Sequence, residues 1–174
     1  PRFRFFGNVT YGRDVSLQDL KTHYDQVVFT VGAQSDKKLF VPREDIAGSH
    51  SAREFVNWYN GHPDYSERSF DLTHEAAVVV GVGNVALDVA RILAKTPAEL
   101  ESTDIADHAL DALRASKVKD IYVLARRGPA QAKFTNHEIR EFGQLEDAVT
   151  LARSIDLELD PHSSALVEGS KGLK

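Results

Sequence analysis

Apolar and polar positions alternate along this chain in short blocks, and one block organises the rest. Ala76-Ala77-Val78-Val79-Val80 is a continuous small and β-branched run, the pattern of an apolar strand. Gly81-Val82-Gly83 follows, and from Asn84 to about Lys95 the apolar residues recur at helical spacing. Strand, Gly-x-Gly-x-x-Ala, helix is the order of a dinucleotide fingerprint. Gly81 permits the tight turn, Gly83 lets backbone approach a pyrophosphate, and Ala86 lets the helix pack closely on the strand. Phosphates would then sit at the helix N-terminus, where unpaired N–H groups and the positive dipole end point at them. Taken alone, the same residues also describe a tight strand–helix turn without a ligand.

The flanking pattern predicts more of the same alternation. Phe3–Phe6 and Val9–Tyr11 read as pairing strands, with Gly7, Asn8 and Gly12 supplying turn conformations. Leu17 and Leu20 lie on one helical face behind Ser16 as N-cap, and Gln26–Val31 reads as a strand closed by Gly32-Ala33. Residues 34–49 form a charged connector with Pro42 and Gly48. A helix follows from Ser51 to Tyr59, capped at Ser49 or Ser51 and stopped by Asn60-Gly61-His62-Pro63. A polar loop, Asp64 to Thr73, leads into the central strand. Beyond the fingerprint helix, Thr96-Pro97 breaks the pattern, and a helix over Asp104–Ser116 is expected behind Ser102 and Thr103 as caps. Asp120–Ala125 reads as a short buried strand, and Thr135 starts a helix with Glu138 at capping-box spacing. Ile155–Leu159 reads as a last strand before a Ser/Gly/Lys tail. Strands alternating with helices predict an α/β fold: a doubly wound, Rossmann-like, mainly parallel sheet with flanking helices.

Composition narrows the function classes. At 174 residues the chain can bury one good core and a fragment of a second. A net charge of −5 with no basic stripe argues against a nucleic-acid binder. The absence of cysteine removes disulfides, thiolate metal sites and thiol nucleophiles, and fits a reducing, cytoplasmic setting. No apolar run approaches the ~20 residues of a membrane span, and the first residues do not read as a signal peptide. Seven histidines are scattered without His-x-x-x-His spacing, so no metal site is expected. The chain opens at Pro1 in mid-pattern and lacks methionine, which predicts an internal piece of a larger protein.

The strand after the fingerprint helix should carry the group that reads the adenosine ribose. An acid there suits NAD, and arginine suits the 2′-phosphate of NADP. Here the strand ends in Ala125-Arg126-Arg127-Gly128-Pro129 with no carboxylate at its tip. Two guanidiniums could hold a dianionic phosphate by paired hydrogen bonds; the alternative is a solvated basic turn. Glu138 serves equally well as the acid of a capping box. Asp88, one turn into the fingerprint helix, and Glu141, three residues after Glu138, have bland readings too, as a helix-dipole acid and a solvated acid. Phe55, Trp58 and Tyr59 read as core rather than as a cofactor stack.

Several stretches together resemble the adrenodoxin reductase-like, FAD-containing ferredoxin–NADP reductases. They are Gly7-Asn8-Val9, Gly12-Arg13-Asp14-Val15, Phe55 to Gly61, Gly83 to Leu93, Thr103-Asp104-Ile105, Arg126 to Pro129, Phe134-Thr135 and Glu138 to Glu141, so the resemblance covers about residues 3–145. The resemblance implies that NADPH gives a hydride to FAD, which passes electrons to a ferredoxin-type iron–sulfur protein. It also implies that the pyrophosphate lies on Gly83, Asn84 and Val85, with Gly81 and Val82 also in the cofactor-binding turn and the 2′-phosphate on Arg126 and Arg127. Glu138 would lie near the nicotinamide-side ribose, Tyr11 and the Val31-Gly32-Ala33 turn on the FAD side, and Asp88 and Glu141 near the flavin as proton-handling carboxylates. Val82 stands where the family commonly has Gln or Asn, and Tyr11 replaces a small aliphatic residue. On this reading residues 1–33 are a remnant of the FAD-binding domain and 34–174 a truncated NADP-binding domain. FAD is then expected only in the full-length protein, and the fragment alone should be inactive. Weaker similarity to the reductase subunits of glutamate synthase-like complexes, and a non-catalytic NADP(H)-sensing or regulatory domain, are the alternatives.

Overall fold

A computed structural model describes residues 3–33 and 35–169, so Pro1, Arg2 and the Ser/Gly/Lys tail expected at the end lie outside the described residues. The chain divides into two compact units, one up to Lys37 and the other from Lys38 on.

Among its described residues the first unit holds one regular element, helix α1 (Leu17–His23). Its start follows the sequence: the Ser16 hydroxyl accepts from Asp19 N, and the Asp19 carboxylate accepts from Ser16 N. The strands expected at Phe3–Phe6, Val9–Tyr11 and Gln26–Val31 form no ladder among the described residues; Tyr11 and Val15 make an isolated bridge there. Phe3, Phe5, Phe6 and Val28 are exposed, and Asn8 adopts φ 56°. β-propensity marks residues that suit a pleated surface, but a strand exists only where a neighbour accepts its hydrogen bonds, and a bare pair of strands is marginal.

In the second unit, residues 38–50 form the expected connector of turns, and helix α2 (Ala52–Tyr59) begins where Ser51 caps Glu54 N. A single 3-10 turn, Pro63–Tyr65, leads to β1 (Ala76–Val80). The crossover then runs through α3 (Asn84–Ala94), α4 (Pro97–Glu101) and α5 (Asp107–Arg114) to β2 (Asp120–Leu124). The two strands are parallel, in register from Ala76 opposite Asp120 to Val80 opposite Leu124. The fold is thus a parallel sheet with flanking helices, in the expected class. Thr96-Pro97 does more than break a helix. Thr96 and Glu99 make a full capping box, with Pro97 at the first helical position, where its missing N–H costs nothing. Ser102 and Thr103 do not cap α5. Ala106 occupies the cap position, and its N–H donates to Tyr59 O at 2.9 Å, so backbone pairing with α2 sets where α5 begins.

One face of the sheet is covered by α3. Val79, Ala86, Val89 and Ala90 are buried with Phe55, Trp58 and Ala109. Phe55, Trp58 and Phe70 stack at centroid separations of 5.0 to 5.4 Å, so these aromatics are core, as their spacing suggests. The opposite face, carrying Val78, Val80, Tyr122 and Leu124, is exposed, so β2 is not the buried strand its apolar run suggests: only Ile121 is half-buried, because α3 covers one face of the sheet alone. After β2 come a 3-10 turn (Pro129–Gln131), α6 (Asn136–Glu141), α7 (Ser154–Leu157) and α8 (Pro161–Gly169). The strand expected at Ile155–Leu159 is instead α7, a single helical turn in which Arg153 pairs with Asp156 three residues on. A strand there has no adjacent ladder to join, and the exposed i, i+3 pair adds only about 0.2–0.5 kcal/mol to the helical turn.

Candidate functional site

The site is built at the carboxyl end of the two strands. Gly81 leaves β1 at φ 139°, a conformation that L side chains rarely adopt, and its N–H still donates to Leu124 O at 2.9 Å. That bond places the turn beside the end of β2 and the residues that follow it. Gly83 is the N-cap of α3, with extended backbone and no side-chain cap. A Cβ built on it meets no atom within 4 Å. The first N–H groups of α3 therefore open onto free space, and Val85 on the first turn is exposed. Ala86 packs behind: a Cβ at Gly81 would lie 3.5 Å from the Ala86 Cβ.

Arg126 and Arg127 follow β2 and are exposed, with no hydrogen bond or ion pair among the described residues. Two free guanidiniums thus stand at the strand end next to the glycine turn. The turn is also buttressed from the segment after the arginines. Lys133 N donates to Val82 O at 2.8 Å, and Thr135 N donates to Asn84 Oδ1 at 2.9 Å. The Asn84 side chain is therefore engaged in holding the start of α6, which leaves its backbone N–H for a phosphate.

Asp88, Glu138 and Glu141, separate in sequence, converge on a residue that the sequence reading passed over, Arg91. Its guanidinium bonds Asp88 Oδ1 at 2.5 Å and Glu138 Oε2 at 3.1 Å, and also bonds Glu141 Oε2. The Arg91 side chain is only 16% exposed, and the three carboxylates are between 21% and 34% exposed. Thr135 caps Glu138 N, but the Glu138 carboxylate does not return to the cap. A half-buried guanidinium with strong donors outcompetes a neutral backbone N–H for that carboxylate. Burial pushes the Asp88 carboxyl up from its ordinary value. Arg91 opposes that rise, and the charges of Glu138 and Glu141 add to it. Burial also raises the Tyr59 hydroxyl, with Asp88 contributing in the same direction. His137 reaches Glu141 Oε1 at 3.3 Å. Beside the cluster lies a small cleft of about 110 Å³ lined by Arg91, Lys95, Glu99 and Glu141. The signal for Arg91 was half present in the sequence, since Asp88 and Arg91 are an i, i+3 pair; Glu138 lies 47 residues away and only the fold reveals it.

Tyr11 belongs to the first unit, where it is exposed and packs edge-to-face on Phe29 at 5.1 Å.

No family model matches the chain. It is 50% identical over 158 residues to the NADPH-ferredoxin reductase FprA of Mycobacterium leprae, covering 91% of this chain and 35% of that protein. It is 48% identical over 174 residues to the mitochondrial NADPH:adrenodoxin oxidoreductase of Arabidopsis thaliana, covering 99% of this chain and 36% of that protein. The chain is a homologue of one segment of the ferredoxin–NADP reductase family. The structure of Mycobacterium tuberculosis FprA in complex with NADPH superposes with a TM-score of 0.76 at 53% identity, over 84% of this chain and 32% of that one. The chain thus spans about a third of the length of the relatives it matches. Among its described residues no helix is long and apolar enough to cross a membrane.

Proposed function

We propose that this chain is the NADP(H)-binding portion of a flavin-dependent ferredoxin–NADP reductase. In the full-length protein, the reaction carries hydride from NADPH to FAD and then single electrons to a ferredoxin-type iron–sulfur protein in a reducing, cytoplasmic setting. Residues 34–174 act as the NADP-binding part and residues 1–33 as a piece of the FAD-binding domain, with Tyr11 on the flavin side. What carries the reading is a juxtaposition. The open N-terminus of α3, a glycine with room in front of it, and two unpaired arginines meet at one end of the parallel strands. That arrangement suits a ligand with one phosphate group at the helix end and another beyond the second strand.

Each residue then has a task. Gly81 and Val82 shape the turn, while Gly83, Asn84 and Val85 present backbone N–H groups to the pyrophosphate. Arg126 and Arg127 bracket the 2′-phosphate. Glu138 faces the nicotinamide-side ribose from the start of α6. Asp88, whose carboxyl holds its proton to higher pH than an exposed aspartate, and Glu141 are the groups able to take or return a proton near the flavin. The bound nicotinamide supplies the hydride. The fragment lacks most of the relatives' length, so it is expected to bind nucleotide without turning over.

The test is to express the full-length protein and record its visible spectrum. A flavin band that bleaches on anaerobic addition of NADPH, and recovers when a ferredoxin is added, is the expected outcome. A colourless protein, or a flavin that NADPH leaves oxidised, would overturn the assignment.

A further inference from the structure

One buried polar side chain belongs to no step described so far. Ser163, in the first turn of α8, is 2% exposed and is the buried polar residue among the described residues. Its hydroxyl donates to Asp160 Oδ2 at 2.6 Å and accepts from Gln131 Nε2 at 2.9 Å. Asp160 Oδ1 in turn accepts from the N–H groups of His162 and Ser163, so the carboxylate fixes both the start of α8 and the rotamer of the serine. These bonds hold the Asp160 carboxyl below its ordinary value, with Ser163 the largest cause.

Gln131 closes the 3-10 turn that follows the arginine pair. Its N–H donates to Gly128 O at 3.1 Å, and its side-chain oxygen lies where a Cβ on Gly128 would contact it at 3.6 Å. Ala130 in the same turn is buried. Two residues further on, Lys133 N is bonded to Val82 O in the glycine turn. The segment after Arg126-Arg127 is therefore fastened at two points, to the glycine turn through Lys133 and to α8 through Gln131 and Ser163. A buried hydroxyl with both donor and acceptor satisfied fixes one geometry and resists others, because breaking it strands polar groups away from water.

Resting on the NADP reading above, we propose that Ser163 is a positioning residue for nucleotide selectivity. Through Gln131 it holds the Arg126-Arg127-Gly128-Pro129 turn in the shape that receives a 2′-phosphate. The arginines supply the charge, and the Asp160–Ser163–Gln131 chain supplies the preorganisation. Two long, exposed side chains lose rotamer freedom on gripping a phosphate, and a backbone already fixed beneath them adds no ordering cost of its own.

The experiment is a titration of the 174-residue chain with NADP+ and with NAD+, on wild type, Ser163→Ala and Gln131→Met. The ratio of the two affinities is the readout. Both variants should lose about fivefold in the NADP+ to NAD+ preference, the size of one hydrogen bond, with NAD+ affinity unchanged. The double variant should lose no more than either single one, because both cut the same bond. A preference unchanged in Gln131→Met, or a parallel weakening of both nucleotides, would show that the chain of bonds is only structural and would overturn the proposal. Gln131 is half-buried and methionine is close to isosteric, so this variant decides the matter even where Ser163→Ala melts too low to titrate. A wild-type chain with no preference would remove the NADP reading itself, and the proposal with it. That failure is recognised before any variant is measured.

Discussion

Replacing Arg91 by leucine removes the cation that three carboxylates share. Asp88, Glu138 and Glu141 would then face one another across the space left by the guanidinium. Carboxylates gathered on one guanidinium stand roughly 5 Å apart, and at effective dielectrics between 80 and 20 each pair repels by about 1–3 kcal/mol. Their exposures of 34%, 21% and 33% admit water, which favours the lower part of that range. The three pairs together, less what the leucine regains by apolar packing, amount to a loss of about 3 kcal/mol. For a chain of this size that lowers the melting temperature by about 10 °C. The loss has a pH signature. Asp88 binds its proton more tightly in the folded chain than in the unfolded one, so its contribution to stability falls as pH rises through the folded value. Arg91 is the group that opposes this, and without it the fall with pH steepens. Circular dichroism melts of wild type and Arg91→Leu between pH 4 and pH 8 read the difference directly. The gap should be widest near pH 8 and shrink towards pH 4, as Asp88 takes up its proton and the repulsion it feels is relieved. A gap below about 2 °C near neutral pH, or one that does not change with pH, would refute the reasoning.

Three further outcomes are expected. Replacing both Arg126 and Arg127 by alanine should erase most of a preference for NADP+ over NAD+ of about tenfold or more, with the melting temperature nearly unchanged, since exposed unpaired arginines contribute little to stability; calorimetry and melts check the two halves. Gly83→Val should leave the chain folded, because nothing lies within 4 Å of its new Cβ, yet weaken NADP+ by more than about tenfold, whereas Gly81→Val should damage folding through its φ of 139°. The chain purified alone should be colourless and should not reduce ferricyanide with NADPH, which an absorption spectrum and a steady-state assay decide.

The central βαβ unit was legible because several local signals agree there. The β-branched run 76–80, the two glycines and the helical spacing after Asn84 all specify the same strand, turn and helix, and the structure places β1 and α3 within a residue of that pattern. Residues 3–11 and 26–31 carry equally strong β-propensity but form no ladder, because a strand depends on a neighbour that local sequence does not contain. Ile155–Leu159 shows the short-run ambiguity: alternation over five residues suits a strand, but no neighbouring strand meets it and Ser154–Leu157 forms a helical turn instead. The capping spacing of Thr135 and Glu138 was half right. The hydroxyl caps, while tertiary contact takes the carboxylate to Arg91. Ser163 left no local signal, since its partner Gln131 is 32 residues away.

On the proposed binding mode, NADP(H) lies with its pyrophosphate on the α3 turn and its 2′-phosphate on the arginine pair. An amide-resolved NMR titration of the chain with NADP+ and, separately, NAD+ observes both ends at once. The Gly81, Val82, Gly83, Asn84 and Val85 amides should shift with either nucleotide, and those of Arg126, Arg127 and Gly128 with NADP+ alone. Shifts at Arg126 and Arg127 that are equal for the two nucleotides, or no shift at Gly83 and Asn84 with NADP+ at saturating concentration, would contradict it.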